Sequence, residues 1–414
     1  VRNDYSSRFA KDNRSGVFPA VSVGWRINQE QFLADVDAIS NLKLRAGYGI
    51  TGQQDITENP YPYLATYTES TSTASYQLGG QFYPTLRPNA YDARIKWEET
   101  TTINAGLDFG FAKDRISGSI DVYERETVDL INQVPIPAGS NFSNDLITNV
   151  GTLENKGYEI TLNADVISRP DFNWNVGVNF THNENEITKL QKTDDPNYPG
   201  VADGGISGGV GNNIQINSIG HAARAFYVFE QVYDGDGKPI EGLYIDRSGL
   251  GGSVVSSENN KYHYNKPAAN YLIGINTRLN YKGFDFSFSS RLSLGNYVYN
   301  NVFSSNAIYS ALYYQSGVFS NVPTAIKDTG FHAQQLWSDY YVEDASFFKL
   351  DNISAGYSFN NLMGEKLKAR VSFTVQNAWV VTDYSGIDPE VSNGIDNNIY
   401  PRPRTFLFGI NLTY

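Results

Sequence analysis

Residues 404–414, RTFLFGINLTY, decide the fold class of this chain. Apolar side chains fall on every second position, and successive side chains of a β-strand point to opposite faces. One face therefore carries Phe406, Phe408, Ile410, Leu412 and Tyr414. The other carries Thr405, Gly409, Asn411 and Thr413, with Leu407 as the one exception. The pattern predicts a strand with one apolar face and one polar face.

The same alternation recurs along the chain. It is clear in DFNWNVGVNFTH (171–182) and GYEITLNADV (157–166), and similar segments lie at 17–27, 42–50, 103–111, 115–124, 271–281, 284–294, 353–359 and 368–379. These strands are near 10 residues long, which is what a tilted strand needs to cross a bilayer. A soluble antiparallel sandwich would also alternate. However, the polar faces here are rich in Asn, Ser, Thr and Gly, which favours a wet lumen over a surface of Lys and Glu.

The connections alternate between short and long. Short ones are expected near 28–41, 112–115, 168–171, 281–284 and 360–367, and long ones near 52–100, 128–156, 184–269, 299–346 and 382–404. Outer-membrane barrels have short periplasmic turns and long extracellular loops. We therefore predict an all-β protein, a transmembrane antiparallel β-barrel with about 12 strands in this chain. Counting back from a last strand that ends at the periplasm places every long loop outside the bacterial cell.

Composition excludes several classes of function. The net charge of −12 argues against a nucleic-acid partner, because phosphate binding needs clustered Lys and Arg. The chain has no cysteine and only four histidines, so neither a thiolate site nor a zinc site is expected. The chain contains no run of about 18 apolar residues, so we predict no membrane-spanning helix. The first residues, VRNDYSSRF, do not have the pattern of a signal peptide, and we expect the chain to start inside a longer protein.

No motif predicts bond chemistry. The acidic segment 233–246 departs from the calcium-binding EF-hand pattern and is read as a turn within a hairpin. The glycine runs 202–213 and 248–253 lack the features of a phosphate-binding loop and are read as flexible loop. Adjacent acidic pairs such as Glu98–Glu99 point to opposite faces of a strand and cannot act together on one bond. We therefore expect no catalytic residue, cofactor or metal, and no enzyme.

Aromatic residues suggest two roles. At strand ends they are expected to anchor the barrel in lipid at the headgroup level, and the candidates are Trp25, Tyr48, Trp97, Trp174, Tyr281, Trp379 and Tyr414. The alternative for each is an ordinary core aromatic, and for Trp97 a position in a loop. In the loop 304–341 they could contact a sugar or a partner protein, or simply pack the loop against itself. The loop candidates are Tyr309, Tyr313, Tyr314 and Trp337, with Phe319 beside them. Polar lumen candidates are Asn173, Asn175, Asn179, Arg278, Arg291, Lys368 and Arg370.

Several phrases resemble the SusC/RagA family of TonB-dependent outer-membrane transporters of Bacteroidota. They cover most of the chain in the family's order and include NLKLRAGYGITGQQDI (41–56), YDARIKWEETTTINAGLDFGF (91–111), NVGTLENKGYEI (149–160), SDYYVEDASFFKLDNISAGYSF (338–359), TDYSGIDPEV (382–391) and YPRPRTFLFGINLTY (400–414). The resemblance implies a 22-stranded barrel with an N-terminal plug and a TonB box. Residues 1–414 would then be the C-terminal portion of the barrel, with the plug, TonB box and first strands upstream.

The resemblance also implies a function and partners. The family imports oligosaccharides, and in some members peptides, together with a SusD-like surface lipoprotein that acts as a lid. The TonB complex would act through the N-terminal region, and outer-membrane lipid would surround the barrel. Three alternatives stay open: a scaffold subunit of an outer-membrane complex, a passive porin and, more remotely, an enzyme.

Overall fold

The computed structural model describes residues 1–33, 35–54, 59–136, 139, 142–143, 145–191, 195–247, 260–313, 317–362, 367–397 and 400–413. Its main feature is one antiparallel sheet of eleven strands whose spatial order follows the chain. The strands are β1 (Ala20–Arg26), β2 (Ile39–Gln53), β3 (Glu98–Phe111), β4 (Ile116–Val128), β5 (Thr152–Arg169), β6 (Phe172–Lys189), β7 (Tyr271–Tyr281), β8 (Phe284–Leu294), β9 (Phe347–Leu362), β10 (Leu367–Thr382) and β11 (Thr405–Thr413). Strands β1 and β11 are the two edges of this sheet.

The sheet has eleven strands where about 12 were predicted. The strand-like start of the chain, Arg2–Tyr5, pairs with Ser15–Phe18 in a separate two-stranded sheet. Pro19 separates that pair from β1, and a proline has no backbone N–H to donate to a ladder. The first hairpin is therefore detached from the main sheet.

Long and short connections lie at opposite ends of the strands, as predicted. The short ones are 27–38, 112–115, 170–171 and 282–283, and we call that end the turn side. The long ones are 54–97, 129–151, 190–270, 295–346 and 383–404, and we call that end the loop side. Strands β5 and β6 have 18 residues each, well above the predicted length near 10. Their loop-side ends, such as 183–189 (NENEITK), are mostly polar, with Ile187 as the one apolar residue, and a single apolar residue shows no alternation.

Cross-strand register places the apolar positions on one face. Ile160 lies opposite Ile120 and Phe180, whereas Asp121 lies opposite Gly106 and Glu159. The apolar face is open to its surroundings, and its exposed residues include Val21, Ile103, Val122, Phe373 and Trp379. A soluble sandwich would bury this face between two sheets. A face of this kind is typical of a barrel wall in lipid.

Aromatic residues bound the apolar face at both ends. On the turn side Phe172 contacts Tyr281 edge-on, with ring centroids 5.8 Å apart. On the loop side His182 contacts Tyr158 and Tyr271, at 5.1 and 5.0 Å. His182 lies ten residues after Phe172 along β6. At a rise of roughly 3.3 Å per residue and a tilt of about 40°, they span roughly 25 Å, the height of the apolar band of an outer-membrane barrel.

The predicted aromatic anchors fall into three groups. Trp25, Tyr48, Tyr281 and Trp379 are exposed, and Trp174 is half-buried on the same face. The prediction for Trp97 was wrong, because it packs in a buried cluster on Phe9 and Phe18, at ring distances of 5.2 and 5.5 Å. Tyr414 lies outside the described residues.

Shorter elements fill the loop side. The strands there are Tyr67–Glu69, Tyr76–Leu78, Gln81–Tyr83, Leu86–Pro88, Ile131–Pro135, Asp145–Asn149, Val201–Gly205, Asn213–Asn217, Ala225–Val228, Gln231–Tyr233, Pro239–Tyr244, Tyr262–Tyr264, Tyr297–Asn300, Val342–Asp344 and Ile395–Asp396. The helices are α1 (Asn301–Asn306) and α2 (Ile326–Thr329), with 3₁₀ turns at Lys11–Asn13, Ser72–Ala74, Tyr309–Leu312 and Asp339–Tyr341. One further 3₁₀ turn, Ile27–Gln29, lies on the turn side in the connection 27–38. Within the described ranges, none of the helices could traverse a lipid bilayer.

Candidate functional site on the loop side and the polar face

Three long loops build one hydrophobic core above the sheet. The loop 190–270 contributes two short strands, 295–346 contributes the segments around α1 and α2, and 383–404 contributes one strand. We call this cluster the loop core, and its buried members are Ile206, Ile214, Phe226, Val228, Tyr299, Ile308, Phe331, Leu336, Tyr341, Val342 and Ile395. A shared core means that these loops form a structured surface.

Tyr299 lies at the centre of the loop core. It is completely buried, and its hydroxyl lies 2.7 Å from Ser304 Oγ and donates to the carbonyl of Leu336 at 2.5 Å. Burial raises the pKa of this hydroxyl, so it remains a neutral donor. The strand that carries it, Tyr297–Asn300, also pairs with Val342–Asp344 and Ile395–Asp396. The loops 295–346 and 383–404 are thus joined by both backbone and side chains.

A cluster of six charged groups fixes the loop 383–404 to the sheet. Lys349 of β9 contacts Asp388 at 2.7 Å and Glu390 at 2.9 Å. Arg291 of β8 pairs with Glu390 and with Asp351, and Arg402 pairs with both loop carboxylates. We call this set the ion cluster. Its three cations and three carboxylates balance, which favours a structural role over the binding of a charged ligand.

The polar face of the sheet carries further ion pairs. Arg45 of β2 bridges Asp108 and Asp121, each at 2.8 Å, and Arg370 of β10 pairs with Asp285 at 2.5 Å. Register also places Asn175 opposite Asp165 and Arg278, on the face predicted for them. Arg291 and Arg370 lie on the predicted face, within networks of charge rather than as isolated lumen cations.

The aromatic candidates of the loop 304–341 differ in how far they are buried. Trp337 packs against the loop core and donates from Nε1 to the carbonyl of Asn213 at 3.0 Å. Tyr309 is half-buried beside His332, with ring centroids 5.1 Å apart. Tyr313 is 70% exposed and contacts Phe319 at 5.6 Å. Tyr314 lies outside the described residues, so Tyr313 is the candidate whose ring is open for a contact.

The terminal strand lies as its alternation predicts. Phe406, Phe408, Ile410 and Leu412 are between 62% and 70% exposed on the apolar face, and β11 pairs with β10. Its closure of a barrel stays a prediction, because the sheet described here is open at both edges.

The acidic and glycine-rich segments have structural roles. Asp234 accepts from the backbone N–H groups of Asp236 and Lys238, which forms the predicted turn between Gln231–Tyr233 and Pro239–Tyr244. The glycine run 202–213 was read as flexible loop, but part of it pairs in the hairpin of Val201–Gly205 and Asn213–Asn217. The run 248–253 lies outside the described residues. In the part of the chain that the structure describes, no group of three His, Cys, Asp or Glu residues could hold a metal.

Comparison with known proteins places these features in a family. A family model described as TonB dependent receptor-like, beta-barrel, matches residues 1–378. The chain belongs to this family of TonB-dependent receptors. It is 47% identical over its whole length to the TonB-dependent receptor SusC of Bacteroides thetaiotaomicron, of which it covers 42%. A TonB-dependent receptor of Formosa agariphila is 30% identical, again over the whole chain and 43% of the relative.

A solved structure supports the same branch of TonB-dependent receptors. The RagAB peptide importer in its open-open state superposes with a TM-score of 0.77 at 25% identity. The match covers 99% of this chain and 44% of that one. The chain thus spans less than half the length of these relatives. The SusC/RagA assignment made from sequence phrases is confirmed, and so is a β-barrel wall of the outer membrane.

Sequence reasoning missed the ion cluster and the loop core. The phrase TDYSGIDPEV contained Asp388 and Glu390, but nothing local to it showed that Lys349 and Arg291 would reach them. The loop core went unnoticed because its members are scattered singly over three loops, without a period of two or 3.6.

Proposed function

We infer that this chain forms part of a TonB-dependent importer that carries a nutrient, an oligosaccharide or a peptide, across the outer membrane. The observation that carries the inference is 47% identity to SusC over the whole chain, loops included. The relative of known structure is described as a peptide importer, which keeps the peptide class open. The chain contributes a wall and a structured mouth, and performs no bond chemistry.

The remaining parts of the importer follow from the resemblance. Eleven strands are half of the 22 in a complete barrel of this family, with the plug and the TonB box in an upstream region. The loop side faces the outside of the cell, where a SusD-like lipoprotein covers it. The exposed Tyr313 is a contact for that lipoprotein or for the substrate.

Uptake by the intact protein tests import. Cells that express the full-length receptor should accumulate the cognate glycan or peptide, and deletion of TonB should abolish uptake. Unchanged uptake without TonB would identify a passive porin. No uptake in either strain, with stable co-purification of other membrane proteins, would identify a scaffold.

Residues 1–414 contain no cysteine, so a single cysteine introduced among them can report orientation in the full-length receptor, with the unsubstituted receptor as the control for background labelling. Tyr313→Cys on the loop side should react with a membrane-impermeant maleimide on intact cells. Lys282→Cys, in the β7–β8 turn, should react only after the outer membrane is permeabilised. The reverse labelling pattern would refute the proposed orientation.

A further inference from the structure

A polar cavity of about 440 Å³ lies on the loop side, where β7 begins and β8 ends. The loop 190–270 supplies most of its wall, and Gly295 and Tyr297 supply the rest. Its polar lining consists of His221, His263, Asn265, Lys266, Asn270 and Tyr297. This volume accommodates a group the size of one sugar ring or one amino acid.

The charge of the lining is opposite to that of the chain as a whole. The chain carries −12, yet none of the cavity's lining residues is Asp or Glu. Lys266 forms no ion pair with any described residue, so its ammonium group is not neutralised by a carboxylate of the described chain. An unpaired cation among neutral donors is complementary to an anion.

The two histidines are held face to face. Their ring centroids are 3.5 Å apart and their planes differ by 6°. Two imidazolium ions would repel each other at this separation. Burial, assisted by His221, lowers the pKa of His263 to about 4, so this ring is neutral near pH 7. Its Nε2 atom is buried and has no hydrogen-bond partner among the described residues, and a buried polar atom normally has one.

We propose that this cavity binds a carboxylate, which pairs with Lys266 and accepts hydrogen bonds from the amide of Asn270 and an imidazole of the histidine pair. One cation among neutral donors suits a single negative charge. A phosphate carries up to two charges, and the cavity lining supplies only one lysine and no arginine to neutralise them. The carboxylate is that of a uronic acid or of a peptide C-terminus. These two sources rest on the proposed function, whereas the binding of a carboxylate rests on the cavity lining alone.

Calorimetric titration of the purified full-length receptor, without TonB, tests the site. The probes are galacturonate and N-acetyl-glycylglycine, each compared with its neutral counterpart, galactose or the peptide amide. At least one acid should bind more tightly than its counterpart, and whichever acid binds identifies the source. Lys266→Met should weaken that binding by about tenfold or more. Lys238→Met, an exposed lysine on the same side outside the cavity, should leave it unchanged.

Four results would overturn the proposal. They are the absence of binding for both acids, equal affinity for acid and neutral probes, equal weakening by Lys238→Met, and tighter binding of inorganic phosphate. If Lys266→Met fails to fold, His263→Phe keeps a ring in the stack but removes the imidazole donor, and it should also weaken binding. Because titration needs no energy source, failure here is distinct from failure of uptake in cells.

Discussion

Lys349 is a buried cation that depends on a loop 39 residues away in sequence. Its side chain is only 4% exposed, and Asp388, its partner at 2.7 Å, is 8% exposed. Removal of one partner of a buried pair leaves an uncompensated charge, which costs more than the pair contributes when intact. At the residue scale, we therefore expect the loop side to be most sensitive to substitutions within the ion cluster.

Lys349→Met should destabilise the attachment of the loop 383–404 by about 3–5 kcal/mol. Denaturant unfolding together with limited proteolysis of this loop measures the effect. Lys238→Met removes an exposed charge and is the matched control. Equal stability of the two variants would contradict the assignment of Lys349.

Glu390 makes the same cluster sensitive to acid. Burial alone would raise its pKa, but hydrogen bonds from Arg291 and Lys349 lower it to about 2, from an ordinary value of 4.5. A lowered pKa in the folded state stabilises the fold at pH values above the unfolded pKa. That contribution is lost as the pH falls from 4.5 toward 2.

Proteolysis of the loop 383–404 should therefore accelerate between about pH 4.5 and 2, with an acid-stable protease as the probe. In Glu390→Gln the carboxylate is absent, so the loop should be cleaved faster at neutral pH and depend less on pH in this interval. A wild-type profile that is flat across the interval would exclude Glu390 as the cause.

At the scale of the element, strand β6 shows how the two faces differ. Val176 lies opposite Ala164 and Thr277 on the apolar face, about midway between the two aromatic belts. Its neighbour Asn175 lies opposite Asp165 on the polar face. A cation introduced at position 176 would face lipid, whereas a cation introduced at position 175 would lie beside the carboxylate of Asp165.

Val176→Lys should therefore cost roughly 2–4 kcal/mol, the penalty for lysine at the middle of a barrel wall. Asn175→Lys, one position away, should cost less because Asp165 lies opposite it and can pair with the new ammonium group, which offsets the repulsion from Arg278 on the other neighbouring strand. Urea unfolding in lipid vesicles measures both variants. Equal costs would mean that the faces are assigned incorrectly.

The edge strand β11 gives a second test at this scale. Deletion of residues 406–414 removes most of the strand that pairs with β10 and exposes the backbone groups of β10 in lipid, where unpaired groups are not tolerated. The truncated receptor should fail to show the heat-dependent gel shift of an inserted barrel. A normal shift would mean that β11 is dispensable for closure.

At the scale of the whole molecule, the wall and the loop core are stabilised in different ways. The wall has a polar face with ion pairs and an apolar face toward lipid, so its own strands enclose little apolar volume. The loop core, in contrast, is a conventional buried core that excludes water. The two parts should respond independently to changes in packing.

Tyr299→Ala should remove about 3–5 kcal/mol from the loop core and leave the wall intact. Hydrogen exchange should then accelerate in segments 201–244 and 297–345, with unchanged protection in β5 and β6. Tyr233→Ala, which alters a tyrosine that is 46% exposed on the same side, is the control. Loss of protection throughout the sheet would show that the wall and the loop core form one cooperative unit.

The amino-acid sequence by itself determined the wall. Alternation with a period of two is a local property, because it follows from the geometry of one strand and needs no knowledge of its neighbours. It therefore predicted the faces of β6 and β11 and, from the spacing of the strands, the alternation of short and long connections. The family was predicted separately, from sequence phrases that resemble its members. It underestimated the length of β5 and β6 mainly at their loop-side ends, where apolar residues are too few to show a period of two.

Tertiary structure alone decided what the loops do. Lys349 and Asp388, the stacked His221 and His263, and the members of the loop core are far apart in sequence, and no periodic pattern relates them. Their proximity arises when the wall holds the loop ends together and apolar side chains from several loops exclude water jointly. Burial and pairing are properties of that assembly. The structure of the loop side therefore could not be predicted from local sequence, whereas that of the wall could.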